Sequence, residues 1–574
     1  MNNLEIAAIL AEIGEHLSLQ DEPFRPRAYR IASSAVEDLE SELEDIYKEG
    51  GIKALMEVPG VGQAIAEKIE ELLTTGHLRY YEKLRRDLPV NFSELSKIEG
   101  LGPRKVKVLY EKLGIKTTKD LERAVASHKI RELDGFGVKS EENIRKSIIF
   151  RKSQGDRMNL NVAVPLAMTL EKRLAALPSV SKVIVAGSLR RWRETVGDLD
   201  FLVVSRDPDK VMKFFVSQKE VARILAKGST KASVSLRQGI DADLRVVEAG
   251  SYGAALAYFT GNKAHNIAMR KIAQSQGLKL NEYGLYKGSK KIAGKSEEEV
   301  YEKLGLRYIE PEMREDHGEI QLSQRDNLPK LINYRALKGD LQIQTDWTDG
   351  RNSISEMAKA ALAEGLQYIV ITDHTKNLKM VHGLDEKRLM AQGGEIDRVN
   401  KKFRGKIRVL KGTECDILKD GSMDLSDKAL SGLDVVGASV HSYFNLSTKQ
   451  QTERVKKAMA NPHVDIIFHP TGRLIGRRPA LEMNMGEIIH FARKTKTVLE
   501  INAFPDRLDL GDDHIRQCVE SGVKMSIDSD AHSNRHLTYL EFGIAQARRG
   551  WACKEDIINA WPVETMLNSL KGRI

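Results

Sequence analysis

Apolar residues recur at helical spacing near the start of the chain, in Leu4, Ala7, Ala8 and Ala11 and again in Ile65, Ile69, Leu72 and Leu73. The pattern predicts helices through residues 1–150, punctuated by glycine. Between 151 and 320 helical stretches mix with short β-rich runs such as Val183-Ile184-Val185 and Phe201-Leu202-Val203-Val204. From 340 the rhythm changes again. Strands read at Leu341–Gln344, Tyr368–His374, Val409–Glu414, Val435–His441, Ile466–His469, Val498–Asn502 and Met525–His532. Short apolar strands alternating with helices predict α/β units. The polar stretch Glu310–Asp326, with Pro311 and charges of both signs, reads as an interdomain linker. No apolar run approaches the roughly 18 residues that a membrane-spanning helix needs.

A chain of 574 residues suggests three to five domains at roughly 100–200 residues each. Three cysteines exclude a disulfide framework and a four-cysteine zinc site. Met1-Asn2-Asn3-Leu4-Glu5 lacks the basic patch and apolar core of a signal peptide. These features point to a reducing, intracellular setting. The net charge of +9 is uneven. Residues 1–100 hold 11 Lys and Arg against 20 Asp and Glu, residues 101–300 hold 38 against 22, and residues 301–574 hold 41 against 39. The basic central block suits a polyanion such as nucleic acid, although solvated lysines alone would give the same balance.

One short motif recurs in the helical part. Val58-Pro59-Gly60-Val61-Gly62, Ile98-Glu99-Gly100-Leu101-Gly102 and Leu133-Asp134-Gly135-Phe136-Gly137 each precede a predicted helix. The glycines permit a tight turn and close approach of a phosphate, which the amides of the helix N-terminus then face. One copy would be ordinary punctuation. Three copies, with Arg104, Lys105 and Lys107 after the middle one, resemble helix-hairpin-helix DNA-binding motifs. The third, with Phe136 in its turn, could instead be a packing element.

Residues 187–200 read Gly187-Ser188-Leu189-Arg190-Arg191, five residues, then Gly197-Asp198-Leu199-Asp200. Asp198 and Asp200 are two apart, so on a strand they share a face. Carboxylates so placed can hold hard divalent cations, and Asp243 in a second β-like run is the candidate third ligand. Gly187-Ser188 offers amides and a hydroxyl, and Arg191 a fork, to a triphosphate.

These residues resemble the family X DNA polymerases, the polymerase beta family, in bacterial or archaeal form. The resemblance covers the chain to about residue 318. It implies two Mg2+ or Mn2+ ions, with Asp198 and Asp200 on both and Asp243 on the one that activates the primer 3′-hydroxyl. It includes Tyr258-Phe259-Thr260-Gly261-Asn262-Lys263, Asn266, Arg270 and Asn281-Glu282-Tyr283. By resemblance Tyr258 and Phe259 pack on the incoming sugar, and Asn266 and Arg270 face the base pair. Val196 stands where the family often has a hydroxyl, Lys263 where some relatives carry an acid, and Asp241 where polymerase beta carries an arginine. The N-terminus resembles the family's lyase domain in Phe24-Arg25-Pro26-Arg27-Ala28-Tyr29-Arg30 and Ala66-Glu67-Lys68-Ile69. In lyase-active relatives the lysine at Lys68 forms a Schiff base with a 5′-deoxyribose phosphate. Two supporting lysines of the eukaryotic pattern are replaced here, by Arg25 and Tyr80.

In the last part His374, Glu414, His441, His469, Asp530 and His532 all end strands, as polar groups do where a βα barrel builds a site. The segment resembles the polymerase and histidinol phosphatase (PHP) domain, which implies a cluster of up to three metals, zinc or manganese, for phosphoester hydrolysis. Its first motif departs from the family. Asp340-Leu341-Gln342-Ile343-Gln344, followed by Asp349-Gly350, carries glutamine where the family has two histidines. A neutral amide is a poor ligand for a borderline-soft cation, so one metal position is expected to be weakened or lost.

The expected architecture is a multidomain α+β polymerase followed by a distorted seven-stranded βα barrel. Residues 1–90 are the lyase-like domain, 91–155 fingers-like, 156–248 palm, 249–318 thumb, 319–338 linker and 339–574 the PHP barrel. The expected function is gap filling in DNA repair on gapped or primer-template DNA with dNTP, by a cytoplasmic, nucleoid-associated monomer without membrane contact. The rival is a PHP nuclease or phosphatase tethered to DNA by the helical modules.

Overall fold

The computed structural model describes residues 1–571 except 2, 20, 21, 23, 24, 38, 40, 41, 88, 89, 96, 97, 99, 155 and 156. Asn2, Phe24 and Glu99 of the motifs above, the side chain of Leu4 and the 155/156 boundary lie outside the described residues. The chain forms two compact units, 1–155 with 476–479, and 156–475 with 480–574.

The first unit is helical. One core gathers Ile6, Leu10, Ile13, Ile65, Ile69 and Leu72, and a second gathers Leu101, Val106, Leu109, Leu121, Ile144 and Ile148. Burying each such side chain stabilises the fold by about 1.5–3 kcal/mol before conformational entropy is counted. The three hairpin helices are α1 (Gln63–Thr75), α2 (Pro103–Leu113) and α3 (Val138–Gln154).

The second unit begins with a five-stranded sheet of β1 (Val180–Val185), β2 (Asp198–Ser205), β3 (Val221–Lys227), β4 (Lys231–Leu236) and β5 (Asp241–Val247), in the order β1-β2-β5-β4-β3. Only β2 and β5 pair in parallel. Ala242, Leu244 and Val246 point into the core, which leaves Asp241, Asp243 and Arg245 on the opposite face. Two helices follow, α4 (Tyr252–Thr260) and α5 (Lys263–Ser275), then a small three-stranded antiparallel sheet.

The barrel strands are β6 (Gly339–Ile343), β7 (Tyr368–Ile371), β8 (Arg408–Asp416), β9 (Val435–Ser439), β10 (Ile466–Ile467), β11 (Val498–Asn502) and β12 (Met525–Asp528). All neighbours are parallel and the spatial order follows the sequence. An Ile343–Ala531 bridge brings the first and last strands together, so the barrel nearly closes. Barrel and first sheet share apolar packing. Leu508 and Phe542 join the core of the β1–β5 sheet, and Trp192 meets Phe542 edge-on at 5.9 Å.

Part of the stretch 310–326, read from sequence as an interdomain linker, is packed into the fold. Arg314 is fully buried, bonded to Glu297 at 2.6 Å and to the Ile309 carbonyl, and Glu319 bonds buried His265 at 2.7 Å. Glu312, Arg314 and Glu319 are thus partnered inside the fold, while Asp316, Arg325 and Asp326 face water. Among the described residues no helix is long and apolar enough to cross a membrane.

Candidate active site

The parallel register of β2 and β5 sets Asp198 beside Asp241 and Asp200 beside Asp243. Four carboxylates therefore share one face of two adjacent strands. Burial first, then Asp198 and Asp243, push the Asp200 carboxyl up to about 7. Lys231 on β4 reaches Asp243 at 3.2 Å, a cation that the sequence motif does not mark. Four carboxylates so close together, with one lysine against Asp243, suit a hard divalent cation. Gly187, at φ +62°, is required here. A Cβ on it would fall 2.2 Å from Asp200 Oδ2.

Beside Gly187, the buried Ser188 hydroxyl has no hydrogen-bond partner among the described residues. Arg191 is not the free fork that the motif suggests. It donates to the Thr260 carbonyl and, through Nε, to Glu315 Oε1 at 3.2 Å. Gly197 lies beside Arg157, and Val196 is buried in the core. Tyr258 and Phe259 meet edge-on at 5.1 Å, and the Arg245 guanidinium lies 4.8 Å from the Phe259 ring centre. Gly261 ends α4 at φ +67° and Asn262 caps α5 by accepting from the His265 amide. Lys263 is exposed. Asn266 donates to the Tyr258 carbonyl at 2.7 Å, and Asn266, Arg270, Tyr258 and Asn281 line one cleft.

The three hairpins repeat in backbone detail. Gly60, Gly100 and Gly135 have φ of +79°, +81° and +80°. Each turn is closed by the same amide-to-carbonyl bond, Val61 to Val58, Leu101 to Ile98 and Phe136 to Leu133. Gly62 and Gly102 cap α1 and α2 with extended φ near −80°. Among the described residues, and apart from the adjoining chain, no atom lies within 4 Å of where a Cβ would stand on Gly62, Gly100, Gly102, Gly135 or Gly137. Arg104 and Lys105 line a cleft beside the middle turn, and Lys105 also lies 5.5 Å from the Phe136 ring centre. Near the first turn, Lys68 Nζ bonds the Ala64 carbonyl at 2.8 Å and lies 5.0 Å from the Tyr80 ring centre. Burial, then the charge of Arg25, lowers its pKa.

In the barrel, Glu414 is the hub. It accepts from His469 Nε2 at 2.8 Å and Ser439 Oγ at 2.6 Å, and His441 Nε2 lies at 3.1 Å and His374 Nδ1 at 3.5 Å. Burial opposes its ionisation, but His374, His441 and His469 outweigh that and hold it well below the usual carboxylate range. Asp349 lies 3.7 Å from His374 and 3.6 Å from His532. Ligand atoms of Asp349, His374 and His532 lie within 4.8 Å of one another, as do those of His374, Glu414 and His441. These two N/O sets fit zinc or manganese. Asp530 bonds Asn502 at 3.1 Å and pairs with Arg507 at 3.5 Å, on a backbone with φ +53°. A side-chain-bearing residue held there is strained.

Both glutamines are fully buried and turned into this centre. Gln344 Nε2 donates to Glu414 Oε2 at 2.7 Å. A carboxylate only accepts, so the amide nitrogen must face it. Gln342 Oε1 accepts from Asn502 at 3.2 Å. The side of Glu414 facing Gln344 therefore meets a hydrogen-bond donor, which does not fit a cation. Sequence reasoning missed Asp416, whose Oδ1 lies 3.3 Å from His441 Nδ1. The Glu414-x-Asp416 spacing on one strand face would have marked it. It also missed buried Glu500, which accepts from the His469 amide.

Comparison with known proteins agrees with this layout. Family models described as helix-hairpin-helix domain, SAM-like helix-hairpin-helix tandem, DNA polymerase beta thumb and PHP domain match residues 1–78, 92–148, 255–315 and 340–503. The chain is 37% identical over 565 residues to the DNA polymerase/3′-5′ exonuclease PolX of Bacillus subtilis, covering 98% of both chains. It is 26% identical over 351 residues to DNA polymerase lambda of Rattus norvegicus, covering 54% of this chain and 56% of that one. Over 226 residues it is 26% identical to a probable phosphatase of Acetivibrio thermocellus, covering 38% of this chain and 85% of that one. With near-complete coverage at that identity, and with three carboxylates and a histidine centre in separate folds, the chain belongs to the family X DNA polymerases that carry a C-terminal PHP domain.

Proposed function

We propose that the β1–β5 sheet is the palm of a gap-filling polymerase, acting as a monomer in the cytoplasm on nucleoid DNA, and that Asp198, Asp200 and Asp243 are its catalytic carboxylates. The observation that carries this reading is the parallel β2–β5 register, which sets Asp200 against Asp243 with Asp198 on the same face. These carboxylates would hold two Mg2+ or Mn2+ ions, which when bound would supply Lewis acidity for nucleotidyl transfer. Gly187, the unpartnered Ser188 hydroxyl, Arg191 and Gly197 orient the triphosphate of a dNTP. Tyr258, Phe259 and Gly261 bound the sugar, Lys263 adds charge at the start of α5, and Asn266 and Arg270 face the base pair. Domain limits follow the sequence reading, except that residues 310–326 belong to the packed thumb. Lys68, desolvated beside Arg25, has the environment of a Schiff-base lysine. The barrel is a weakened phosphoesterase, of the 3′-5′ exonuclease kind named in the Bacillus relative. The test is addition of one dNTP to a one-nucleotide gap, expected with either cation and absent with chelator. No addition under any cation would overturn the reading.

The hairpins grip phosphates and not bases. Gly102→Val meets open space and ordinary φ, so the protein should remain folded. Duplex affinity should fall about tenfold, equally for unrelated sequences, and the salt dependence of binding should become shallower. Fluorescence anisotropy across a salt series checks this. Unchanged affinity would remove the middle turn from the DNA interface.

A further inference from the structure

We infer that Arg549, a residue of the C-terminal barrel, is a positioning residue for the polymerase nucleotide site, acting through Glu315 on Arg191. The inference rests on the reading of Arg191 as a triphosphate ligand. Arg549 ends the helix Leu540–Arg549, and its side chain is 1% exposed. Its Nη1 donates to the Arg191 carbonyl at 2.9 Å and to Glu315 Oε1 at 3.1 Å, and its Nη2 donates to Asp512. Glu315 Oε1 also accepts from Arg191 Nε, and Glu315 Oε2 accepts from Asn262 at 2.7 Å. Asn262 caps α5, the helix of Asn266 and Arg270. One barrel guanidinium thus reaches, through a single carboxylate, both the arginine beside the Gly187-Ser188 turn and the cap of the base-pair-facing helix.

The charges give this link a direction. Burial opposes ionisation of Glu315, but Arg549, Arg191 and Arg193 outweigh it and keep it ionised. Arg549 therefore shares the carboxylate oxygen that Arg191 Nε uses, while Asn262 and Arg193 are the other partners of Glu315. Without Arg549, Glu315 draws Arg191 more strongly onto itself, in competition with an incoming triphosphate. A planar fork serves Arg191, Glu315 and Asp512 together, whereas the point charge of lysine cannot keep all three contacts. The barrel is held in place for this role. Arg473 pairs with Glu194 at 2.6 Å, and Gln546 donates to the same carboxylate at 3.0 Å.

The experiment uses full-length protein on gapped DNA. Single-turnover kinetics give the apparent dNTP affinity and the maximal rate, and inhibition by inorganic pyrophosphate probes the phosphate contacts alone. Arg549→Met should weaken both dNTP and pyrophosphate by about tenfold, with DNA affinity unchanged and the maximal rate within about threefold. Arg549→Lys should fall between. Adding Glu315→Gln to Arg549→Met should recover most of the loss, because the competing charge is gone. A general loss of structure would not be reversed by a second substitution. If Arg549→Met does not fold, Arg549→Lys with and without Glu315→Gln gives the same readout. Nucleotide and pyrophosphate affinities within about twofold of the parent in the folded variants would overturn the inference. Arg191→Ala is the control. Pyrophosphate affinity unchanged in Arg191→Ala would show that the reading of Arg191 has failed and takes the inference with it. Loss at Arg191 without loss at Arg549 overturns the inference alone.

Discussion

Asp200→Ala should lower nucleotide addition at a gap by about 10³-fold or more while leaving DNA affinity unchanged. That fall corresponds to roughly 4 kcal/mol in the barrier. Asp200 is the central carboxylate of the set. It sits between Asp198 on its own strand and Asp243 on the next, with its carboxyl pushed up to about 7 by burial and by those two charges. Its ionised form is costly without a cation, so cation binding and proton loss are linked. A group whose pKa is raised in this way is protonated below about 7. The Mg2+ concentration for half-maximal rate should therefore rise as pH falls through that value, and change little above it. Rapid-quench incorporation across a Mg2+ and pH grid measures both effects. A rate within about tenfold of the parent in Asp200→Ala, or a Mg2+ requirement flat from pH 6 to 8, would remove Asp200 from the reacting centre.

Restoring the two histidines should have the second-largest effect. Gln342→His with Gln344→His should raise Mn2+-dependent release of single nucleotides from single-stranded DNA by about tenfold or more, with gap filling unchanged. In the parent, Gln344 donates to Glu414 and Gln342 accepts from Asn502, and neither side chain offers the imidazole nitrogen of a histidine ligand. Imidazole nitrogen would replace an N–H donor facing Glu414 with a lone pair. The remaining sets, Asp349-His374-His532 and His374-Glu414-His441, stay intact. Metal analysis of the purified protein should accordingly show a gain of bound metal in the restored form. Strong nuclease activity in the parent, lost in His374→Ala, would show that the glutamines are tolerated and that ligand loss was misjudged.

Much of this was legible in the sequence because it rests on short-range periodicity. Asp198 and Asp200 share a face because strands alternate. The same period turned Gln342 and Gln344 to one side, as the structure has them. All seven barrel strands were visible as apolar runs ending in polar residues. Each hairpin has its turn and capping glycine within three residues of each other, so three copies could be recognised by eye.

What stayed hidden depends on contacts across long sequence separations. Nothing near Arg191 announces that its fork is already engaged, because its partners Thr260 and Glu315 lie far along the chain. Arg549 is farther still, 358 residues from the carbonyl it holds. The stretch 310–326 read as a linker because composition cannot tell a buried ion pair from a hydrated one. Arg314 and Glu319 are buried with their partners. Lys231 was missed for a related reason. Its meeting with Asp243 depends on the β4–β5 pairing, which local sequence does not reveal.

On the proposed function, nucleotide addition belongs to the palm carboxylates and not to the histidine centre. The most direct measurement is single-nucleotide gap filling, under one set of Mg2+ conditions, by full-length Asp243→Ala and His374→Ala beside the parent protein. Addition should fall by about 10³-fold in Asp243→Ala and stay within about twofold of the parent in His374→Ala. Near-parental gap filling by Asp243→Ala, or its loss in a folded His374→Ala, would contradict that assignment.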